Sequence, residues 1–122
     1  MRIIDANLII YFAQPGYEWL QTHIQTLDAH YSAITKVEVV GYHKITPSAK
    51  AFFQVYFDSI PSLLPTADIV EKAITLRQTR KMSLGDSIIA ATALVHDLDL
   101  YTHNVADFAG ILDLRIVDPL KI

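Results

Sequence analysis

The sequence predicts an α/β fold built on an open parallel sheet with helices packed on both faces. Alternation is the first observation behind that reading. Short apolar runs at residues 2–4, 31–34, 59–64, 99–102 and 114–117 are separated by longer segments whose apolar residues recur at helical spacing. Size and composition are the second, since 122 residues at 52% hydrophobic content suffice for one domain, 1–122, whose core needs no covalent staple. Punctuation is the third: four Gly and five Pro are scattered without a repeat or linker, so nothing marks a domain boundary.

Taken in order, residues 2–4 enter as a strand closed by Asp5, Ala6 and Asn7, and the run 8–12 continues as a helix that Gln14, Pro15 and Gly16 break. Trp19, Leu20, Ile24 and Leu27 carry a second helix to about Ala29. After the strand at 31–34, Val37, Val40 and Ile45 suggest a helix from Thr35 that ends before Pro47, with Glu38 in its first turn. Ser48 begins a helix bearing Phe52, Phe53, Tyr56 and Phe57, rings that at this spacing serve the core, a dimer face or a partner face. Beyond the strand at 59–64, the helix at 66–81 has Asp68 and Glu71 early and Arg77, Arg80 and Lys81 late, as the helix dipole favours. Ser83 to Asp86 opens a helix through His96 that is apolar on both faces and therefore central. A strand, a turn at Asn104 and a last strand finish the chain.

Composition excludes several chemistries. Zero Cys removes disulfide frameworks, thiolate metal sites and Cys nucleophiles, and fits a reducing, cytoplasmic setting. The opening MRIIDANLII is interrupted by Asp5 and Asn7 and reads as mature structure, and no apolar run approaches the roughly 20 residues that cross a bilayer. Ser87 and Thr92 have no Ser/His/Asp arrangement around them, so covalent catalysis is unsupported. His23, His30, His43 and His96 lack metal-ligand spacing, and His103 reads as a solvated loop residue.

Four acids recur at equivalent places: Asp5 after the first strand, Glu38 after the second, Asp86 opening the central helix and Asp107 after the strand at 99–102. Beyond the carboxyl ends of parallel strands lies the crevice where ligands bind, so acids far apart in sequence can converge there. Converging carboxylates raise one another's pKa unless a cation joins them, and oxygen ligands without sulfur suit Mg²⁺ or Mn²⁺. A second reading treats each acid as a helix cap, because Thr35 with Glu38 has the capping-box spacing and Ser83 with Asp86 and Asn104 with Asp107 follow it more loosely. Geometry separates the two, since a capping carboxylate turns back to its own helix start whereas a metal ligand faces the other acids.

The blocks IIDANLII at 3–10, SAITKVE at 32–38, LGDSIIAATA at 84–93 and YTHNVADF at 101–108 together resemble the PIN-domain nucleases, and among them the VapC-type toxins of type II toxin–antitoxin pairs. That resemblance spans nearly the whole chain and implies a three-layer α/β/α PIN-like fold with a central parallel sheet. It implies Asp5, Glu38 and Asp86 as principal metal ligands, Asp107 as the fourth carboxylate, and Asn7 and Asn104 as accessory residues. Two departures stand out: Ala6 replaces a common hydroxyl residue, and Asn104 stands where an acid is often found.

The implied activity is a Mg²⁺- or Mn²⁺-dependent endoribonuclease acting on structured cellular RNA, with Asp107 orienting the attacking water or holding a second ion. Lys36, Arg77, Arg80 and Lys81 are candidate phosphate contacts, with Lys44 and Lys50 nearby in sequence; the plainer reading is that the cations ending the helix at 66–81 compensate its dipole. The resemblance further implies a cognate antitoxin as partner and a homodimer. A catalytically degenerate PIN-fold interaction module is the alternative, while phosphatase and receiver-domain readings fail because Asn7 and Ala6 stand where each would need an acid. The net charge of −3 does not oppose an RNA partner, since setting the four site acids aside leaves nine acids against ten bases.

Overall fold

The computed structural model describes residues 1–25 and 28–121 of the chain. Arg2–Ile4 (β1), Ala29–Ser32 (β2), Ser62–Leu63 (β3), Asp99–Tyr101 (β4) and Ile116–Val117 (β5) form one sheet in the order β3-β2-β1-β4-β5. Every neighbouring pair is parallel, and Ile3 is aligned with His30 of β2 on one side and Leu100 of β4 on the other. The helices are Ala6–Phe12 (α1), Glu18–Ile24 (α2), Ala33–Val40 (α3), Pro47–Asp58 (α4), Ala67–Thr79 (α5), Leu84–His96 (α6) and Val105–Phe108 (α7), followed by a 3₁₀ turn at Pro119–Lys121.

Alternation along β1 divides the interior into two cores. Ile4 joins Leu8, Phe12, Leu20, Ile24, Tyr31 and the α4 rings on one face, while Ile3 joins Ile69, Leu76, Ile89, Leu100 and Phe108 on the other. The three-layer α/β/α architecture expected of the sequence is therefore present, with α1 to α4 over one face and α5 to α7 over the other. Each fully buried Ile, Leu or Phe contributes about 1.5–3 kcal/mol by leaving water. The first core is aromatic, with Phe12 and Tyr56 ring centroids 4.8 Å apart and Tyr31 and Phe57 4.6 Å apart. In the second, Ala73, Ala90, Ala91 and Ala93 let α5 and α6 lie close together. Of the α4 rings, Phe53, Tyr56 and Phe57 are core and Phe52 is partly exposed. No helix among the described residues is long and apolar enough to cross a membrane.

Several expected boundaries move. The second helix stops at Ile24, Leu27 lies outside the described residues, and Ala29 already pairs with Arg2 in β2. Ser32, expected inside a strand running to Ile34, instead caps α3 by accepting a bond from the Ile34 amide at 3.2 Å. Helix α3 then ends against Gly41 rather than continuing to Pro47, and Ile45 follows in a turn. Thr46 caps α4 with Pro47 in its first turn, where the missing amide hydrogen costs nothing. Helix α6 closes on Asp97 in the left-handed region, at φ 55°.

Candidate functional site

The chain leaves β1 toward β2 and β3, then crosses back to β4 and β5 on the other side of β1. Such a reversal leaves a crevice at the carboxyl ends of the strands. Asp5 follows β1 at this point and Thr102 follows β4 beside it. Asp5 is 7% exposed and both carboxylate oxygens are occupied: the Ala6 amide donates to Oδ1 at 2.8 Å and the Thr102 hydroxyl to Oδ2 at 2.8 Å. Thr102 thus supplies a hydroxyl bond that Ala6 cannot. The same Thr102 oxygen accepts from the Asn7 side-chain amide at 3.3 Å and the Asn104 backbone amide at 3.1 Å. Asn7 in turn accepts from the His103 amide at 3.4 Å, so both accessory residues hold the Asp5 side of the crevice together.

Glu38 lies in the second turn of α3, because the helix begins at Ala33, and its expected partner Thr35 is buried inside that helix. The capping reading for Glu38 fails on that geometry. Its carboxylate instead reaches the start of α6: a Cβ placed on Gly85 would stand 2.8 Å from Glu38 Oε2. Asp86 is half-buried beside it, in the first turn of α6, where Ser83 accepts from the Asp86 amide at 3.1 Å. Half of the capping reading for Asp86 therefore holds, since Ser83 is the cap. Asp107 is exposed on α7, whose Asn104 cap makes no side-chain bond.

Electrostatics tie these carboxylates together. Burial raises the Asp5 carboxyl above its ordinary range, the bonds from Thr102 and Ala6 oppose the rise, and the charges of Asp86 and Asp107 add to it. Glu38 is raised by burial and then by Asp5 and Asp86. Asp86 is raised by burial and by Asp107 against a lowering hydrogen bond from Ser83. Among the described residues no Lys, Arg or His forms an ion pair with any of the four. Neither do any three His, Cys, Asp or Glu side chains among them form a group arranged to hold a metal ion. These two facts are compatible: like charges without a cation between them favour separation, and among the described residues no side-chain hydrogen bond fixes Glu38 or Asp107. An all-oxygen donor set without a counter-ion suits a hard divalent cation such as Mg²⁺ or Mn²⁺.

A cavity of about 600 Å³ is lined by Asp86 and Asp107 together with Arg77, Arg80 and Lys81. Arg77 Nε donates to the Met82 carbonyl at 3.3 Å. The Arg80 guanidinium donates to the carbonyls of Ala109 at 2.7 Å and Asp107 at 3.3 Å. Lys36 is exposed on α3 outside this cavity, and Lys44 lines a separate apolar groove of about 410 Å³ that runs from Glu38 past Ile10, Tyr42, Ile45 and Phe53. His103, expected to be solvated, has Nδ1 3.0 Å from Oδ2 of Asp118, whose side chain is 7% exposed. Sequence reasoning missed Thr102, Gly85 and Asp118. A lone Thr at the end of an apolar run, just before a loop bearing two of the motif residues, was the available signal for the first.

A comparison with protein families matches residues 2–109 to the PIN domain. The chain belongs to the PIN-domain family. Among solved structures it is similar to a chain of the "Toxin-antitoxin complex from Klebsiella pneumoniae", at 30% identity and TM-score 0.81, covering 98% of each chain. The fold is shared with a chain of DNA-bound VapBC from Salmonella typhimurium, at 21% identity, TM-score 0.81 and 97% and 98% coverage. It is shared as well with a chain of FitAcB from Neisseria gonorrhoeae, at 21% identity, TM-score 0.77 and full coverage of both. No curated protein matches the sequence. The resemblance carried by the four sequence blocks holds for the PIN family, and the fold is shared with the VapBC structure.

Proposed function

We propose that this PIN-domain chain is a Mg²⁺- or Mn²⁺-dependent endoribonuclease and the toxin of a toxin–antitoxin pair. The observation that carries the reading is electrostatic: burial and neighbouring carboxylates raise the carboxyls of Asp5 after β1, Glu38 on α3 and Asp86 at the start of α6, Asp107 adds its charge to Asp5 and Asp86, and among the described residues no Lys, Arg or His pairs with any of them. Asp5, Glu38 and Asp86 would hold the ion, with Asp107 beside them. When bound, a divalent cation polarises a phosphodiester oxygen and lowers the pKa of water. Asp5 presents a carboxylate already oriented by Thr102 and Ala6, so little side-chain freedom is lost on binding. Asp107, exposed on α7, would orient the attacking water. Lys81 and Arg77 line the same cavity as Asp86 and would supply contacts to the RNA backbone.

The related structures are described as toxin–antitoxin complexes, and the apolar groove beside Glu38 fits the antitoxin role: a partner segment laid there ends at the acids and covers them. A homodimer belongs to the same reading. The alternative, a degenerate module that binds partners without cutting, is favoured by one observation, the lack of a preformed three-ligand group among the described residues. Incubating the chain with structured RNA and Mn²⁺ decides between them. Cleavage is expected, abolished by EDTA and reduced at least about 100-fold by Asp5→Asn. Activity insensitive to both would sink the metal site, and no cleavage with intact partner binding would establish the module.

A further inference from the structure

We infer that Arg80 is a positioning residue that sets where Asp107 stands, rather than a contact to the RNA backbone; this rests on the nuclease reading of the acids. Helix α7 has four residues, too few to hold its own shape, and its cap residue Asn104 makes no side-chain bond. The carbonyls at its end have no partners within so short a helix. Arg80 supplies two: Nη1 donates to the Ala109 carbonyl at 2.7 Å and Nη2 to the Asp107 carbonyl at 3.3 Å. Its Nε is buried without a hydrogen-bond partner and both Nη atoms are engaged by these carbonyls, so the half-buried guanidinium is committed to the turn although the residue borders the cavity. The other end of this tether is fixed, because Arg80 is the C-cap residue of α5 and α5 packs along α6 through Leu76, Ala73 and Ile89. Helix α6 carries Asp86. One planar fork therefore joins the unit that carries Asp86 to the turn that carries Asp107, and with Phe108 buried as the second anchor it fixes the separation of the two carboxylates. A Lys ammonium keeps the charge but cannot span two carbonyls in this geometry.

The test compares Arg80→Lys and Arg80→Gln with Lys81→Gln in the full chain. For both Arg80 variants amide hydrogen exchange across residues 105–110 should rise about tenfold while α5 and α6 stay protected. Mn²⁺ binding, followed by titration calorimetry, should weaken about tenfold, in the range of losses for groups that orient a metal ligand. The salt dependence of binding to an uncleaved RNA analogue should stay as in the wild type for Arg80→Lys and lose about one unit of slope for Lys81→Gln. Wild-type exchange and Mn²⁺ affinity in Arg80→Lys would overturn the assignment, as would a loss of salt slope in Arg80→Gln equal to that of Lys81→Gln. If the wild type binds no Mn²⁺, the nuclease reading fails, and the exchange result still decides whether Arg80 holds the turn.

Discussion

Asp5 and Glu38 face the same crevice under opposite constraints. Asp5 is almost wholly buried at the end of a central strand, with both oxygens hydrogen-bonded, and Glu38 is exposed on a helix with its carboxylate over the Gly85 backbone. Both are raised by burial, yet only Asp5 has bonds that oppose the rise. The difference teaches how carboxylates can gather at one crevice: Asp5 is built into the fold, whereas Glu38 approaches on an exposed side chain. On the proposed metal reading, Asp5 would define the position and Glu38 would adapt to the ion.

The largest test of that contrast removes the support of the fixed member. Thr102→Val keeps the shape of the side chain but takes one bond from Asp5 and leaves the Asn7 and Asn104 amides without an acceptor. A loss of about 10–100-fold in Mn²⁺ affinity is expected, as for other outer partners of metal ligands. Folding stability should fall by about 1–3 kcal/mol, read from urea unfolding. Wild-type Mn²⁺ affinity in this variant would mean that Asp5 needs no orienting.

Next comes the response of the whole fold. Mn²⁺ at a hundred times its dissociation constant should stabilise the folded state by about 2.7 kcal/mol, a Tm rise of several degrees by calorimetry. A flat response at millimolar metal would break the convergence argument.

The smallest effect concerns Glu38 alone. Its folded-state pKa lies above the unfolded one, so the folded state holds the proton more tightly and metal-free stability falls as pH rises through that raised value. Glu38→Gln removes this loss. Without metal the variant should melt slightly above the wild type at pH 7, with the gap closing below the ordinary carboxylate range. Saturating Mn²⁺ should reverse the order.

Much of this was legible in the sequence because two periodicities coexist in it: five apolar runs alternate with helical segments, and five parallel strands result. Ends of elements were harder. Ala29 ends an apolar pattern at helical spacing and reads as helix, but pairing with Arg2 makes it strand. Thr35 with Glu38 matched a capping spacing, yet Ser32 was nearer the true helix start and took the cap. The four acids were visible because three follow strands and Asp86 opens the central helix. The bonds that Thr102 and Arg80 make were not, because each reaches a residue far away in the chain, which no local pattern records.

Gly85 separates two properties that usually fail together. Its backbone leaves room for the Glu38 carboxylate, while a glycine inside a helix costs roughly 0.5–1 kcal/mol relative to alanine. Gly85→Ala therefore offers a disarmed protein that keeps its architecture: the methyl group would push aside only the flexible end of Glu38, and α6 itself would gain. On the proposed toxin reading, such a chain could be produced in a host that the active protein would poison, with the groove beside Glu38 still present.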